Sequence, residues 1–540
     1  MASTHESRIA ALPAELQEVL RRRLAGQAAP ADVIRPAERG GPLPLSSAQR
    51  RLWFLEQLRP GTEEYHSALA LRLLGPLDAG ALAGAVGGIV ARHQSLRTVF
   101  DEVDGEPVQI VREAPDGPVL RTVAAAAPEE LDRALAEEYA RPFDLRRGPL
   151  FRALLLRAGE HEHVLLLTAH HIVTDGWSMG VVAEELAALY TAAVTGADAE
   201  LPPPPLQYGD YAVWQRERRA NLDAQLEYWT RRLAGVPPLD LPADRPRPAV
   251  RTSAGAVHRF TVPAGVTARL AGLAREGGTT LFTVLLAACQ LWCSRYARQD
   301  DVAVGTAVSG RQRPELHRTV GFFVNTVVLR SYVDLSARFT DFLAAVGGAA
   351  LDAFANDEVP FERLVDALHA TRDPSRNPLF DVMVLWQDSA RGAPAFAGLR
   401  AEDVVVERRA STFDLTVEFH ERGGELAVSV EYSTDLFDAG TIERMAEHLG
   451  VLLAAVAADP TRPLAELPLA GEAEQALVAS WNATGAPVPE AVLPALFEAQ
   501  VARTPDAVAV SCGGVELSYR ELDARADRLA RPAPDTTAPH

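Results

Sequence analysis

The sequence predicts a mixed α/β (α+β) protein built from two comparable halves. From Leu43 to about Pro468, apolar residues alternate between helical and strand spacing with few long interruptions. Apolar residues make up 48% of the 540 residues and charged residues 23%, the usual balance for globular chains with large cores. We expect one half of about 170 residues and another of about 250, each large enough to hold its own core.

Predicted elements follow one another along both halves. A buried strand over 164–168 ends directly at a pair of histidines, and a helix over 181–195 follows. Four prolines at 202–205 break regular structure before the junction of the halves, which is expected near 215–235. The other predicted elements are helices over 82–92, 268–276 and 281–296, and strands over 301–308 and 326–333. The first half is assigned to residues 43–215 and the second to residues 216–468.

Both ends of the chain differ in composition from the halves. Residues 7–24 have helical apolar spacing, Gly26 provides a stop, and the residues up to 42 are rich in Ala, Pro and Gly. Residues 1–42 are therefore predicted to be a helix and linker, either a solvated lead-in or a docking element for an upstream protein. Residues 469–530 are predicted to contain a helix, a hairpin and a second helix. The polar, Pro-rich residues 531–540 are predicted to be disordered.

Charge, hydropathy and cysteine content exclude several function classes. Lys and Arg total 53 against 72 Asp and Glu, a net charge of -19, and such a surface repels nucleic acid. No run of about 18 uncharged apolar residues predicts a membrane span, and the N-terminus has no apolar signal core. Cys289, Cys293 and Cys512 do not suit a disulfide framework or a zinc site. We therefore expect a reducing, cytoplasmic location and no bound metal.

The strongest local signal is His170-His171-x-x-x-Asp175-Gly176, directly after a predicted strand. Adjacent strand residues point to opposite faces, so only one of the two histidines can face a cleft. An imidazole titrates near neutrality, so one nitrogen can take a proton from an attacking amine while the other anchors the ring. Metal ligation by both histidines is the alternative, although no third ligand accompanies them. Asp175 and Gly176 indicate a turn in which the carboxylate fixes the backbone or pairs with a cation.

Seven motifs in family order make residues 43–465 resemble a condensation domain of a nonribosomal peptide synthetase. The motifs occupy residues 45–55, 92–100, 169–178, 208–214, 320–330, 356–362 and 372–379. The departures are small, because Ala169 stands where the family often has Met, and Thr174 where it often has Ser. Neither departure changes the chemistry that the resemblance implies.

The resemblance implies two chloramphenicol-acetyltransferase-like lobes in a V-shaped pseudodimer, with the active site at their junction. Tunnels would admit two 4'-phosphopantetheine arms, which donor and acceptor peptidyl carrier proteins supply in trans, so that this chain binds no cofactor of its own. The amine of a carrier-bound aminoacyl group then attacks the donor acyl or peptidyl thioester and forms an amide bond. The opening motif is similar to that of the subgroup taking an L-configured donor and an L-configured acceptor. We expect a monomer.

The resemblance also implies residue roles. By its position in the motif, His171 is the catalytic residue, acting as a general base or positioning the amine. His170 is its structural partner. Asp175 is expected to form an ion pair with an arginine, for which Arg311 is the first candidate and Arg97 the second.

Four further residues are candidates for the cleft or its tunnel. Gly176 either leaves room for the entering thioester or occupies a turn with unusual backbone angles. Asn325 either contacts the pantetheine or serves strand pairing alone. Ser178 and Gln387 are assigned to the tunnel. Packing roles rather than catalytic ones are expected for Tyr208, Asp210 and Trp214.

Residues 481–522 resemble the first part, about 50 residues, of an adenylation domain. The sequence ends before any Gly-rich phosphate loop, and no Gly-Gly-x-Ser segment typical of a carrier domain occurs, so both carriers are expected on other chains. Two alternative functions stay open. One is acyl transfer to an alcohol or a free amine. The other is a non-catalytic platform that recruits another enzyme, although such platforms tend to lose the residues of the histidine motif.

Overall fold

The computed structural model describes residues 33–38, 40–115, 117, 119–125, 127–218, 222–369, 373–387, 394–485 and 490–531. The chain divides into two compact units, Met1–Gly471 and Glu472–His540. The helix predicted over 7–24 and the disordered tail predicted beyond residue 531 lie outside the described residues. The first unit carries both predicted halves, and the second carries the predicted C-terminal segment.

Strands of the first unit form a three-stranded, a five-stranded and a six-stranded sheet. They are β1 (Leu43–Pro44), β2 (His66–Leu74), β3 (Thr98–Val103), β4 (Glu106–Val111), β5 (Leu120–Ala124), β6 (Phe151–Arg157), β7 (Glu162–His170), β8 (Gly255–Val262), β9 (Asp301–Val308), β10 (Asn325–Tyr332), β11 (Val382–Gln387), β12 (Arg400–Val404), β13 (Leu415–Arg422) and β14 (Glu425–Ser433). The strand orders are β1-β4-β3, β12-β2-β7-β6-β5 and β10-β9-β11-β13-β14-β8.

Helices cover these sheets and connect their strands. They are α1 (Ser47–Leu58), α2 (Ala79–Arg92), α3 (Pro128–Ala140), α4 (Gly176–Thr195), α5 (Tyr208–Glu217), α6 (Asp223–Leu233), α7 (Ala264–Glu276), α8 (Leu281–Ala297), α9 (Phe339–Ala355), α10 (Phe361–Ala367) and α11 (Ala439–Ala458). All of the helices and strands predicted between residues 82 and 333 are present, with ends that differ by a few residues. The predicted alternation of helices and strands is therefore confirmed.

Each large sheet has its own apolar core. Helices α7, α8, α9 and α11 pack on the six-stranded sheet, and α2 and α4 pack on one face of the five-stranded sheet. Every residue of α8 from Thr283 to Ser294 is buried, which explains its apolar character on all sides. Cys289 and Cys293 lie in this stretch as core residues. Two sheet-centred lobes are thus confirmed.

One strand from the second half pairs with a sheet of the first half, which the sequence did not predict. Strand β12 belongs to the segment assigned to the second half, but it pairs antiparallel with β2 at the edge of the five-stranded sheet. Two residues of the predicted linker also pack against helix α5 of the same unit. Ile34 is buried beside Tyr208 and Tyr211, and the Ala37 amide donates to Asp210 Oδ1 at 2.8 Å.

The second unit contains α12 (Glu472–Trp481), α13 (Leu493–Arg503), β15 (Val508–Cys512), β16 (Val515–Ser518) and α14 (Tyr519–Ala530). Gly513 and Gly514 both have positive φ, 56° and 81°, which suits the two-residue turn of a hairpin. The predicted helix, hairpin and second helix are therefore present.

Within the described residues, no single helix is long and apolar enough to cross a membrane. The pair α7 and α8 meets that test only when taken together, and it is bent by 104°.

Candidate active site

Strand β7 lies between β2 and β6 and delivers the histidine pair to the end of the five-stranded sheet. His170 is its last residue, and His171 opens a short 3-10 turn over His171–Val173. The side chain of His170 is buried, and its Nδ1 accepts a hydrogen bond from the Ile172 amide at 3.0 Å. Burial holds the pKa of His170 well below its usual range. His170 is therefore neutral and supports the turn, which fits the supporting role predicted for it.

His171 has one ring nitrogen anchored and the other available. Its Nδ1 lies 3.1 Å from the carbonyl oxygen of Thr174. A carbonyl oxygen only accepts, so Nδ1 carries the proton and Nε2 of the neutral ring keeps its lone pair. Burial lowers the pKa of His171, and the hydrogen bond to Thr174 and the charge of Asp175 oppose this only in part. The neutral form, which can act as a base, is thereby favoured at neutral pH.

Asp175 caps helix α4 and joins a buried ion-pair cluster with Ser178 and Arg311. Its Oδ1 accepts from the Ser178 amide at 2.7 Å, and its Oδ2 accepts from the Phe323 amide at 3.0 Å. Arg311 Nη2 lies 3.1 and 3.3 Å from the two carboxylate oxygens and 2.6 Å from Ser178 Oγ. Arg97, the second candidate, instead donates to the carbonyl oxygen of Arg112. The ion pair predicted between Asp175 and Arg311 is therefore present.

This cluster ties the second half of the chain to the histidine motif. Arg311 Nη1 donates to the carbonyl oxygens of Leu316 and Thr319, each at 2.6 Å, so it also shapes its own segment, residues 309–323. Trp177 Nε1 donates to the His317 carbonyl oxygen at 2.8 Å. The segment links β9 to β10, so Asp175 fixes the second half beside His171. It supports the site without touching the reacting atoms.

A second buried cluster, which sequence reasoning missed, surrounds Glu185. The carboxylate of Glu185 on α4 lies 2.7 Å from Arg92 Nε and 2.8 Å from His93 Nε2. Arg318, in the 309–323 segment, lies 3.1 Å from its other oxygen. The available signal was a pair of glutamates, Glu184 and Glu185, within an otherwise apolar helix. Such a residue is rarely buried unless it is paired.

A cavity of about 190 Å³ opens beside His171. Both halves of the chain line it, which is what a site at their junction requires. The first half contributes Glu63, Glu64, His66, Tyr139 and His171, and the second half contributes Arg259, Arg408, Glu418 and Glu431 together with apolar and hydroxyl side chains. A nucleophile held in this cavity would lie beside the side chain of His171.

A sequence profile described as "Condensation domain" matches residues 40–478. The chain belongs to the condensation-domain family. Members of this family are acyltransferases that form peptide bonds in nonribosomal peptide biosynthesis and work with carrier protein domains. Solved condensation domains share the fold described above, with two chloramphenicol-acetyltransferase-like lobes.

Relatives of this condensation domain are large synthetases. It is 42% identical over 509 residues to one of the proteins that make up the linear gramicidin synthase of Brevibacillus parabrevis, covering 92% of this chain and 7% of that protein. It is 40% identical over 540 residues to phosphinothricin tripeptide synthetase PhsC of Streptomyces viridochromogenes, covering 97% of this chain and 50% of that protein. The chain thus spans half or less of these relatives.

One similar solved structure comes from a complex. It is the X-domain bound to OxyB from teicoplanin biosynthesis, with 31% identity and a TM-score of 0.73, covering 82% of this chain and 98% of the X-domain.

Gly176 and Gln387 lie next to each other in the condensation domain. A Cβ built on Gly176 would lie 3.8 Å from Gln387 Oε1, which is ordinary contact. Gly176 is the first residue of α4 and is not among the glycines with positive φ. The prediction of a turn with unusual backbone angles is therefore wrong, and the room that Gly176 would leave for the entering thioester stays a prediction. Gln387 ends β11 with an exposed side chain.

Ser178 and Asn325 do not serve the condensation domain as tunnel residues. Ser178 is fully buried, and its Oγ donates to the Gly321 carbonyl oxygen at 2.9 Å and bonds with Arg311. The assignment of Ser178 to the tunnel is therefore wrong. Asn325 Nδ2 donates to the carbonyl oxygens of Asp357 and Val359 at 2.8 and 2.7 Å. Its amide is engaged by the protein backbone, which contradicts a contact with pantetheine.

Tyr208 packs as expected. Its hydroxyl lies 2.7 Å from Ser46 Oγ, and its ring meets Phe323 edge to face with centroids 4.8 Å apart. A Cβ on Gly321 would lie only 1.9 Å from the Tyr208 ring, so the backbone there approaches the ring too closely for any other residue. Tyr208 thereby packs against the 309–323 segment and supports it.

Sequence reasoning also missed several charged residues of the cavity. Glu418 interrupts the apolar run of β13, Leu415-Thr-Val-Glu-Phe419. Glu431 lies on the neighbouring strand β14, where it pairs with Thr416. A charged residue inside an otherwise apolar strand was the available signal.

Among the described residues, no group of three or more His, Cys, Asp and Glu is placed to hold a metal ion.

Proposed function

We propose that this chain forms an amide bond between two carrier-bound substrates, with His171 as the catalytic residue. The observation that carries this proposal is that His171, whose Nδ1 is hydrogen-bonded and whose Nε2 is unprotonated, lines a cavity to which both halves contribute. The activity of the family supports this proposal. The relatives are much longer than this chain, so the activity of the chain itself is what requires testing.

In the proposed reaction, the acceptor amine attacks the carbonyl carbon of the donor thioester. A C–N bond forms, and His171 Nε2 takes the proton that the amine nitrogen loses. The tetrahedral intermediate then collapses, the C–S bond breaks, and the thiol of the donor pantetheine leaves after taking the proton back. Because a thioester is already activated, orientation of the two tethered reactants can supply about 7–11 kcal/mol of the barrier. His171 can act as the base, as a positioning group for the amine, or as both.

The partners and setting belong to the same proposal. Both peptidyl carriers act in trans and supply the 4'-phosphopantetheine arms, and the enzyme works as a monomer on an L-configured donor and an L-configured acceptor. Residues 481–522 represent the start of an adenylation domain. A cytoplasmic location is supported by Cys289, Cys293 and Cys512, which are all free.

Reconstitution tests the proposal. Purified chain is mixed with a donor carrier loaded with one aminoacyl group and an acceptor carrier loaded with another, and intact-mass spectrometry follows both carriers. The expected result is a dipeptidyl acceptor carrier and a free donor thiol. Replacing the loaded acceptor by soluble amines and alcohols separates this activity from acyl transfer to a free acceptor, because only the latter gives product without the second carrier.

A recruitment platform is the second candidate, favoured by the similarity to the X-domain solved with OxyB. The retained His170, His171 and Asp175 argue against it. A platform would bind loaded carriers, or a partner enzyme, and leave both thioesters intact in the same mass spectra.

A further inference from the structure

Three buried polar side chains lie on one face of the five-stranded sheet. His66 on β2 pairs in register with His170 on β7, and Thr168 lies two residues before His170. Directly paired residues, and residues two apart on one strand, point to the same face of a sheet. The three residues are 6%, 1% and 0% exposed. Their side chains therefore lie together next to the turn that carries His171, at a place that we call the histidine pocket.

Each of these side chains has a polar atom with no hydrogen-bond partner among the described residues. The atoms are His66 Nε2, Thr168 Oγ1 and His170 Nε2. The carbonyl oxygen of Tyr139 lies 2.7 Å from His66 Nδ1, so Nδ1 carries the proton and Nε2 of the neutral ring has a lone pair. His170 Nδ1 accepts from the Ile172 amide at 3.0 Å, so the proton of its neutral ring is on Nε2. The histidine pocket thus contains one unused acceptor, one unused donor and a hydroxyl that can act as either.

Aromatic rings enclose the histidine pocket. The ring of Phe143 meets both imidazoles edge to face, with its centroid 4.9 Å from that of His66 and 6.1 Å from that of His170. Tyr139 meets His66 in the same way at 5.8 Å. The centroids of the two imidazoles lie 6.4 Å apart, and their unused nitrogens do not bond to each other. Leaving a buried donor and a buried acceptor unpaired is costly, so a small ligand between them is favoured.

The two unused nitrogens decide which ligand suits the histidine pocket. Burial lowers the pKa of His66 to about 4 and holds that of His170 well below its usual range, so both rings are neutral at pH 7. A cation does not suit the N–H of His170, because a cation cannot accept a hydrogen bond. A chloride ion does not suit the lone pair of His66, because it has no hydrogen to donate. Water does both, and a buried water typically makes about three hydrogen bonds to groups that are otherwise unsatisfied.

We propose that one water molecule is bound in the histidine pocket by His66 Nε2, His170 Nε2 and Thr168 Oγ1. The water accepts from His170 and donates to His66, and its remaining hydrogen or lone pair serves the Thr168 hydroxyl. His170 also accepts from the Ile172 amide, so the water fixes the ring that supports the turn carrying His171. His66 and Thr168 are therefore positioning residues that act on His171 through the water and His170. The binding of the water does not depend on the proposed function, whereas its effect on the rate does.

A crystal structure of the whole chain, at a resolution that shows ordered waters, tests the site itself. The expected result is a density peak at about 2.7–3.2 Å from the Nε2 atoms of His66 and His170 and from Thr168 Oγ1. Thr168→Val keeps the shape of the side chain without the hydroxyl, and His66→Phe keeps a ring without the acceptor. The peak should weaken in the first variant and vanish in the second. A wild-type structure with no peak between the two imidazoles would overturn the proposal.

The reconstituted reaction tests the positioning role. Loss of one hydrogen bond predicts a fall in kcat of about 2- to 10-fold for Thr168→Val. The KM for both loaded carriers should stay unchanged, because Thr168 does not line the cavity. Thr168→Ser retains the hydroxyl and should restore the wild-type kcat. Thr267→Val is the matched control, because Thr267 is also buried but lies on α7, and it should keep the wild-type kcat.

Two kinetic results would overturn the positioning role. One is a wild-type kcat in Thr168→Val, and the other is a Thr168→Ser variant as slow as Thr168→Val. If Thr168→Val fails to fold, the kcat of His66→Phe decides in the same assay. If wild type itself forms no amide product, the proposed function fails, and the crystal structure still decides whether the water is bound.

Discussion

The buried pair of Asp175 and Arg311 offers a test of how the second half is fixed beside His171. The two side chains are 1% and 0% exposed. Arg311 donates to both Asp175 oxygens, to Ser178 Oγ and to two carbonyl oxygens of its own segment. In Arg311→Met, the side chain keeps much of its length, but every one of those donors is lost. Asp175 then remains buried without a cation.

The expected cost follows from that geometry. Breaking a buried pair by removing one partner destabilises a protein by about 3–5 kcal/mol, because the remaining charge is uncompensated. In Asp175→Asn with Arg311→Met, neither charge remains, so the double variant should be more stable than the sum of the single effects predicts. Coupling between residues in contact is about 0.5–3 kcal/mol.

Urea denaturation followed by circular dichroism measures the effect. Arg422→Met is the control, because Arg422 and Asp403 form an exposed pair at 3.0 Å. Loss of that pair should cost at most about 1 kcal/mol. A shift of the urea midpoint for Arg311→Met no larger than that for Arg422→Met would show that the buried pair adds no more stability than an exposed one. Strict additivity in the double variant would show that Asp175 and Arg311 are not coupled.

Three further predictions test individual residues. Ser178→Ala should lower the free energy of unfolding by about 1–3 kcal/mol through lost hydrogen bonds and leave the KM for both loaded carriers unchanged. A changed KM without destabilisation would restore Ser178 to the tunnel. The free energy of unfolding of Gly176→Ala should lie within about 1 kcal/mol of that of wild type, since the φ of Gly176 is not positive. It should nevertheless slow condensation, because its Cβ would occupy the room predicted for the entering thioester; unchanged turnover would contradict that role of Gly176. Burial lowers the pKa of His66 to about 4 from 6.5. Between these values the unfolded chain binds a proton that the folded chain does not, so stability falls on acidification by up to about 3 kcal/mol. In His66→Gln, the urea midpoint should therefore fall less steeply between pH 7 and pH 4 than it does in wild type. An equally steep fall would exclude His66 as the source of this pH dependence.

Local patterns predict much of this fold. The apolar run before His170 gives a strand whose residues Val164 to Leu167 are fully buried on both faces. The helix predicted over 281–296 is observed as Leu281–Ala297. The Gly-Gly pair at 513–514 forms the hairpin turn. In each case, spacing or backbone preference within a few residues decides the structure.

Contacts between segments that are distant in the sequence could not be predicted from such local patterns. Strand β12, Arg-Ala-Glu-Asp-Val, has a weak strand pattern, and its partner β2 lies more than 300 residues earlier in the chain. Ser178 looked like a motif residue near the cleft, yet its burial depends on Arg311, 133 residues later. Arg408 lies outside any helix or strand, so nothing local marks it as part of the site. Arg311 was found through the family resemblance rather than through spacing.

The proposed condensation depends on His171 as the catalytic residue. The most direct measurement is a single-turnover assay with both carriers loaded, comparing wild type with His171→Ala by intact-mass spectrometry, with folding checked by the urea midpoint. Removing a general base should slow formation of the dipeptidyl carrier by about 10²–10⁴-fold, while the variant remains folded. A folded His171→Ala that forms product at the wild-type rate would contradict a catalytic role for His171.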